Sequence, residues 1–276
     1  MFTSPLDYCP AMSGTPKVPH PSAEREEPVS PSTHFGYREV PASEKAALVR
    51  SVFDAVAPKY DLMNDLMSAG IHRLWKTTAI DCLAPRTGEA CLDLAGGTGD
   101  IAFRILERIG NPRIPITVCD INVEMLSVGR DRAIDRGHLT GVQWACGDAE
   151  ALPFGDMQFD AYSIAFGLRN VTHIDAALAD ARRVLKPGGR FMCLEFSKVM
   201  VPLLDKLYDT YSFSVLPWLG EFVAGDRNAY TYLAESIRRF PDQKALAKRM
   251  TDAGFSQIKV RNLSGGIAAI HTGWRA

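Results

Sequence analysis

The 276-residue chain contains no run of 18 or more apolar residues, so its sequence predicts no membrane-spanning helix. It has no excess of charge of either sign: 31 Lys and Arg stand against 32 Asp and Glu, for a net charge of −1. A protein held to nucleic acid through phosphate contacts needs a basic surplus, so no nucleic-acid partner is expected. The six cysteines form no C-x-x-C pair and have no histidines at zinc spacing. A chain of this length needs no disulfide staples, and the cysteines read as reduced thiols of a soluble, intracellular protein. No His/Asp/Glu set has metal-ligand spacing and no serine sits in a nucleophile elbow, which predicts neither a metal nor a covalent intermediate. There is no internal repeat.

With 46% of its residues hydrophobic, the chain can bury a substantial core. Residues 1–41 are set apart from it. They hold eight of the 17 prolines and almost no apolar period, so they read as a disordered tail that cannot offset its ordering entropy. A mitochondrial presequence would be rich in Arg and poor in acids. This segment carries three basic and five acidic residues, which favours a plain tail.

Residues 42–276 read as one domain. Helical periodicity fills 42–83, and strands then alternate with amphipathic helices. Strands are predicted at 90–95, 114–119, 142–146, 159–166 and 190–196, with helices after the first, second and fourth. Lys-Pro-Gly-Gly at 186–189 is read as a helix stop. Such alternation means βαβ units and a mostly parallel sheet. A helix at 242–253 and two strands at 257–263 and 266–271 close the chain as an antiparallel hairpin at the sheet edge. Between these parts, residues 203–240 hold eight of the 25 aromatics. An insert after a strand's carboxyl end overlies the ligand crevice of such a sheet.

The chemistry-bearing residues gather after the first three strands. Asp-Leu-Ala-Gly-Gly-Thr-Gly-Asp at 93–100 joins a strand to a helix, and Gly97 and Gly99 let the backbone approach a ligand at a helix N-terminus. Dinucleotide folds use a similar turn, but three acids separate the cases. Asp93 precedes the glycines, where it favours a cation over a pyrophosphate. Asp120 ends the second strand, placed to accept from both ribose hydroxyls. Asp148 follows the third strand, where it can accept an adenine amino group. A sulfonium, a ribose and an adenine together describe S-adenosylmethionine.

These residues resemble the ubiquinone/menaquinone biosynthesis C-methyltransferases, the UbiE family. The resemblance starts at Phe35-Gly36-Tyr37 and runs to the C-terminus. It is carried by Lys59-Tyr60-Asp61, Gly-Ile-His-Arg-Leu-Trp-Lys at 70–76, the glycine turn, Phe-Gly-Leu-Arg-Asn at 166–170, Leu-Glu-Phe-Ser at 194–197 and the aromatic insert at 199–240. It implies a Rossmann-like class I S-adenosylmethionine-dependent methyltransferase with a seven-stranded sheet. The implied reaction is ring C-methylation of a polyprenylated benzoquinol, in ubiquinone synthesis. Its cofactor contacts carry over onto Thr98, Asp120 and the Asp148–Ala149 pair. Many bacterial members have a serine where this chain has Ala165.

The resemblance further implies a homodimer, association with other enzymes of quinone synthesis, and a peripheral place on the bacterial inner membrane or the mitochondrial matrix face. Arg169 and Asn170 are expected beside the transferred methyl group. Arg169 stays protonated, so it would bind a developing phenolate or orient a water; the alternative is a salt bridge that shapes its loop. Tyr60 is a candidate for the methionine carboxylate, and Asp61 or Asn64 for the quinol hydroxyls, within an N-terminal helical lid at 42–83. His72 and His173 are candidate proton acceptors. Two other readings are demethylmenaquinol methylation and an inactive cofactor-binding scaffold.

Overall fold

The computed structural model describes residues 31–56, 65, 68, 70–110, 114–200 and 227–276. Its centre is a run of five parallel strands: β3 (Cys91–Leu94), β4 (Ile116–Asp120), β5 (Val142–Cys146), β6 (Phe159–Ala165) and β7 (Leu185–Phe196). In space they lie in the order β5-β4-β3-β6-β7, followed by the antiparallel pair β9 (Ala268–Arg275) and β8 (Phe255–Leu263). β9 pairs with β7, leaving β8 at the edge. The expected closing hairpin is thus present, its second strand running four residues further than the sequence pattern suggested.

Both faces of the sheet are covered, which explains why its strands read as apolar runs. On one face Ala161, Met192 and Leu194 pack with Trp75, Ile80 and Leu83 of helix α2 (His72–Leu83) and Ile101 and Ile105 of α3 (Asp100–Ile109). On the other, Tyr162, Phe191 and Cys193 pack with Leu178 and Ala181 of α5 (Ile174–Val184). Helix α4 (Val123–Asp135) follows β4 and is capped by Asn122, whose side chain accepts from the Met125 N–H. The alternation of the two sets along β6 and β7 is the period-two pattern of a strand buried on both sides.

Two expectations change here. Lys186-Pro-Gly-Gly189 does not separate α5 from the strand; β7 begins at Leu185, and the four residues form a bulge where Phe159 pairs with Leu185 but Ala161 with Arg190. Gly188, at φ +74°, permits that bulge. The predicted tail also ends earlier than 41. Ser32–Phe35 (β1) and Arg38–Pro41 (β2) form an antiparallel hairpin leading directly into α1 (Ala42–Val56). Its strands are only four residues long, too short for alternation to register in the sequence. Residues 1–30 lie outside the described residues.

Strand order reverses between β3 and β6. One chain segment leaves β3 toward β4 and the next leaves β6 toward β7, so the two turns diverge and open a crevice at the strands' carboxyl ends. Each strand is followed by a residue held at positive φ, Ala95 at φ +50° and Phe166 at φ +56°. A non-glycine residue there costs on the order of 1 kcal/mol, which the packing around this crevice must offset.

Candidate functional site

A cavity opens in that crevice, the place where such sheets take their small-molecule ligands. Leu94, Ala95, Phe166 and Gly167 form its base at the β3 and β6 ends; Asp120, Gly147, Asp148 and Ala149 form its wall after β4 and β5. Ala46, Val49, Arg50 and Phe53 of α1 form the roof. Their spacing of three, four and seven residues puts them on one helical face. Sequence reading placed a helix here without identifying these residues; the i, i+3, i+4, i+7 pattern was the signal.

Asp120 is the best-placed acid. Its Oδ2 accepts the Gly97 N–H at 2.9 Å and its Oδ1 the Asn122 N–H at 2.8 Å. Each carboxylate oxygen keeps a further acceptor direction for a ligand. Burial pushes its pKa up to about 6, against the pull of the Asn122 and Gly97 amides. Asp148 accepts the N–H of Glu150 at 2.9 Å and borders the cavity with Ala149. Asn122 also donates through Nδ2 to Asp54 of α1 at 2.8 Å, which ties the roof to the end of β4.

Asp93 does not border the cavity. It is fully buried beneath the glycine turn, where its Oδ1 accepts the Ser163 hydroxyl at 2.8 Å. Oδ2 has no hydrogen bond of ordinary geometry among the described residues. Burial raises its pKa to about 7, with Ser163 opposing. A Cβ on Gly96 would lie 2.7 Å from that Oδ2, so the carboxylate supports the turn from below. The direct contact with a cationic ligand expected from sequence is replaced by this indirect one. Gly97 (φ +46°), Thr98 and Gly99 (φ +82°) likewise build the turn, with Thr98 buried. Lys76 of α2 holds the next residue, Asp100, at 2.7 Å.

Arg169 and Asn170 part company. Asn170 borders the cavity. The Arg169 side chain turns away into a second recess, which it lines with Lys45 and Tyr232. Its Nη1 donates to Glu195 Oε1 at 2.8 Å and to the Phe166 carbonyl, while its own N–H reaches Glu195 Oε2 at 3.3 Å. Both side chains are almost fully buried. Burial raises the Glu195 pKa, although Arg169 opposes the rise. The salt bridge that shapes the loop, weighed above as the alternative, is therefore what the structure contains. Glu195 itself went unrecognised, because a glutamate inside a strand motif shows nothing of its partner.

The remaining candidates separate. His72 pairs with Asp65 at 2.8 Å and is buried, which lowers its pKa. His173 is exposed and pairs through Nδ1 with Glu150 at 2.6 Å. Neither borders the cavity. Tyr60, Asp61, Asn64 and residues 201–226 of the insert at 199–240 lie outside the described residues. Among the described residues no three His, Cys, Asp or Glu side chains cluster as metal ligands.

Comparison with known proteins places this geometry. The ubiE/COQ5 methyltransferase family matches residues 40–275. The ubiquinone/menaquinone biosynthesis C-methyltransferase UbiE of Paracoccus denitrificans is 57% identical, over 88% of this chain and 96% of that protein. The mitochondrial 2-methoxy-6-polyprenyl-1,4-benzoquinol methylase of Danio rerio is 53% identical, over 88% and 84%. Among solved structures, a SAM-dependent methyltransferase from Thermotoga maritima aligns with a TM-score of 0.59 at 20% identity, covering 82% of this chain and 99% of that one; that likeness speaks to the fold alone. The chain belongs to the ubiE/COQ5 methyltransferase family.

Proposed function

We propose that this methyltransferase transfers a methyl group from S-adenosylmethionine to a ring carbon of a polyprenylated benzoquinol. The observation that carries the reading is the cavity at the strand-order reversal, with Asp120 and Asp148 at the ends of adjacent strands. That donor set suits the ligand: Asp120 would hold the ribose hydroxyls, and Asp148 with Ala149 the adenine. S-adenosylmethionine supplies an electrophilic methyl on a good leaving group.

What remains for the protein is alignment and exclusion of water. Helix α1 closes the cavity from above, with Val49 and Phe53 as apolar cover. Asn170 presents an amide beside the β6 turn, where it would orient the acceptor ring. Arg169 and Glu195 hold that turn in place rather than shuttle the proton. Tyr60 remains a candidate contact for the methionine carboxylate.

A prenylated substrate also gives the protein work at a bilayer surface. Among the described residues no helix is long and apolar enough to cross a membrane. From its prenylated substrate we read it as a peripheral enzyme, at the bacterial inner membrane or the matrix side of its mitochondrial counterpart. The name of the Paracoccus relative favours a second acceptor, demethylmenaquinol.

Incubating the purified protein with methyl-labelled S-adenosylmethionine and each short-chain quinol in turn tests the proposal. Label in the benzoquinol ring is the expected result. Label only in the naphthoquinol selects the second acceptor, and no label in either refutes methyl transfer to quinols.

A further inference from the structure

The hairpin that the sequence pattern assigned to a tail packs on a helix that reaches the functional site. Phe35 stacks on Tyr232 of helix α6 (Arg227–Arg239), with ring centroids 4.2 Å apart and planes 16° from parallel. The turn after it closes on the same helix. The Tyr37 N–H donates to Glu235 Oε2 at 2.9 Å. Gly36, at φ +60°, sits so close that a Cβ would strike that carboxylate. Tyr232 is 4% exposed, and its phenol donates to Asn170 Oδ1 at 2.9 Å. Burial raises its pKa, so the phenol keeps its proton and remains a donor.

With Oδ1 engaged, Asn170 has its Nδ2 end left to present elsewhere, and Asn170 borders the cofactor cavity. Its backbone is held by the Gly167 carbonyl at 3.0 Å, which leaves the side-chain torsions as the degree of freedom. One part-buried hydrogen bond to a stacked ring restrains them.

We propose that the Ser32–Pro41 hairpin belongs to the catalytic apparatus: Phe35 seats Tyr232, and Tyr232 acts as a positioning residue that holds the Asn170 side chain at the cofactor cavity. The inference rests on the methyl-transfer reading above. It accounts for a feature that packing alone does not require, since a phenylalanine at 232 would stack on Phe35 equally well. It also predicts that the hairpin and α6 affect the rate of transfer more than the affinity for cofactor.

The experiment compares the wild-type full chain with Tyr232→Phe, Asn170→Ala and the double variant, using S-adenosylmethionine and the short-chain benzoquinol. Tyr232→Phe should lower kcat about 10-fold, with KM for S-adenosylmethionine and Kd for S-adenosylhomocysteine changed less than about twofold. Its Tm should fall by only about 2–4 °C. The double variant should be no slower than Asn170→Ala alone, because both changes remove one interaction. An unchanged kcat in Tyr232→Phe, or losses that multiply in the double variant, overturns the proposal.

A second measurement does not need turnover. The Asn170 side-chain amide resonances, identified by their loss in Asn170→Ala, should move in Tyr232→Phe and Phe35→Leu. Resonances unchanged in both variants overturn the positioning role. A wild-type chain that fails to methylate the quinol but shows these shifts refutes the substrate reading and leaves the positioning supported.

Discussion

The Asp93 carboxylate and the Ser163 hydroxyl meet at 2.8 Å, although 70 residues separate them in the chain. They are register partners on β3 and β6, the strands on either side of the crevice. The bond therefore ties the glycine turn to β6, the strand that leads into Phe166 and Asn170. Both side chains have no solvent exposure, and a carboxylate buried with so few donors is costly when ionised.

That cost sets a pH dependence. Burial lifts Asp93 to about 7 and Asp120 to about 6, both above an unfolded value of about 4. An acid with a raised folded pKa favours the fold most below its unfolded value, and that contribution is lost as pH climbs to the folded value. Asp93→Asn removes one such group. Its stability relative to wild type should rise between about pH 4 and pH 7 and level off above, followed by urea unfolding of the ligand-free protein. A difference independent of pH would show that Asp93 does not titrate in this range.

Asp120→Ala should weaken S-adenosylhomocysteine binding by about 10-fold or more, as two ligand hydroxyls lose an acceptor worth about 1–3 kcal/mol. The variant also releases the Gly97 and Asn122 amides, so the glycine turn loosens as well. Calorimetric titration reads the change directly. Asp148→Ala should weaken binding less, because adenine retains its apolar contacts.

The Arg169–Glu195 pair makes opposite demands on single and double substitutions. Removing either partner strands a buried charge and should cost about 3–5 kcal/mol. Replacing both, as Arg169→Met with Glu195→Leu, should recover most of that loss. Denaturant unfolding of the three variants tests this. A double variant as unstable as the singles would mean that the bonds to the Phe166 carbonyl and the Phe196 N–H dominate instead.

Gly167→Ala should distort the crevice. A Cβ there would run into that of Ala95, pushing apart the two turns that carry left-handed residues. Overpacking of this kind typically costs about 1–3 kcal/mol. Loss of cofactor binding together with a lowered Tm is expected. Wild-type affinity in this variant would show that the turns can part without disturbing the cavity.

Much of the fold was legible in the linear pattern because its signals are local. The period-two strands, the helix after Gly99 and the closing hairpin all follow from residues that lie near each other in sequence. The acids that border the cavity were legible for a related reason: Asp120 and Asp148 stand at or just past the carboxyl ends of strands, and parallel strands bring those ends to one edge. The short hairpin at 32–41 escaped notice because four residues give two alternations, and its apolar Phe35 is buried by a helix nearly 200 residues away.

The direction of a side chain was decided only by tertiary structure. Arg169 and Asn170 are neighbours in the chain, yet one turns to Glu195 and the other to the cavity. No sequence spacing determines that, since it depends on which buried charge lies across the adjacent strand. The same holds for Asp93, which occupies the first place of the glycine motif but lies beneath the turn. The sequence by itself determined which strands run parallel and which family the chain resembles, because periodicity and motif are properties of neighbouring residues. Tertiary structure decided which acids border the cavity and which support the backbone, because burial and partners come from segments that meet only on folding.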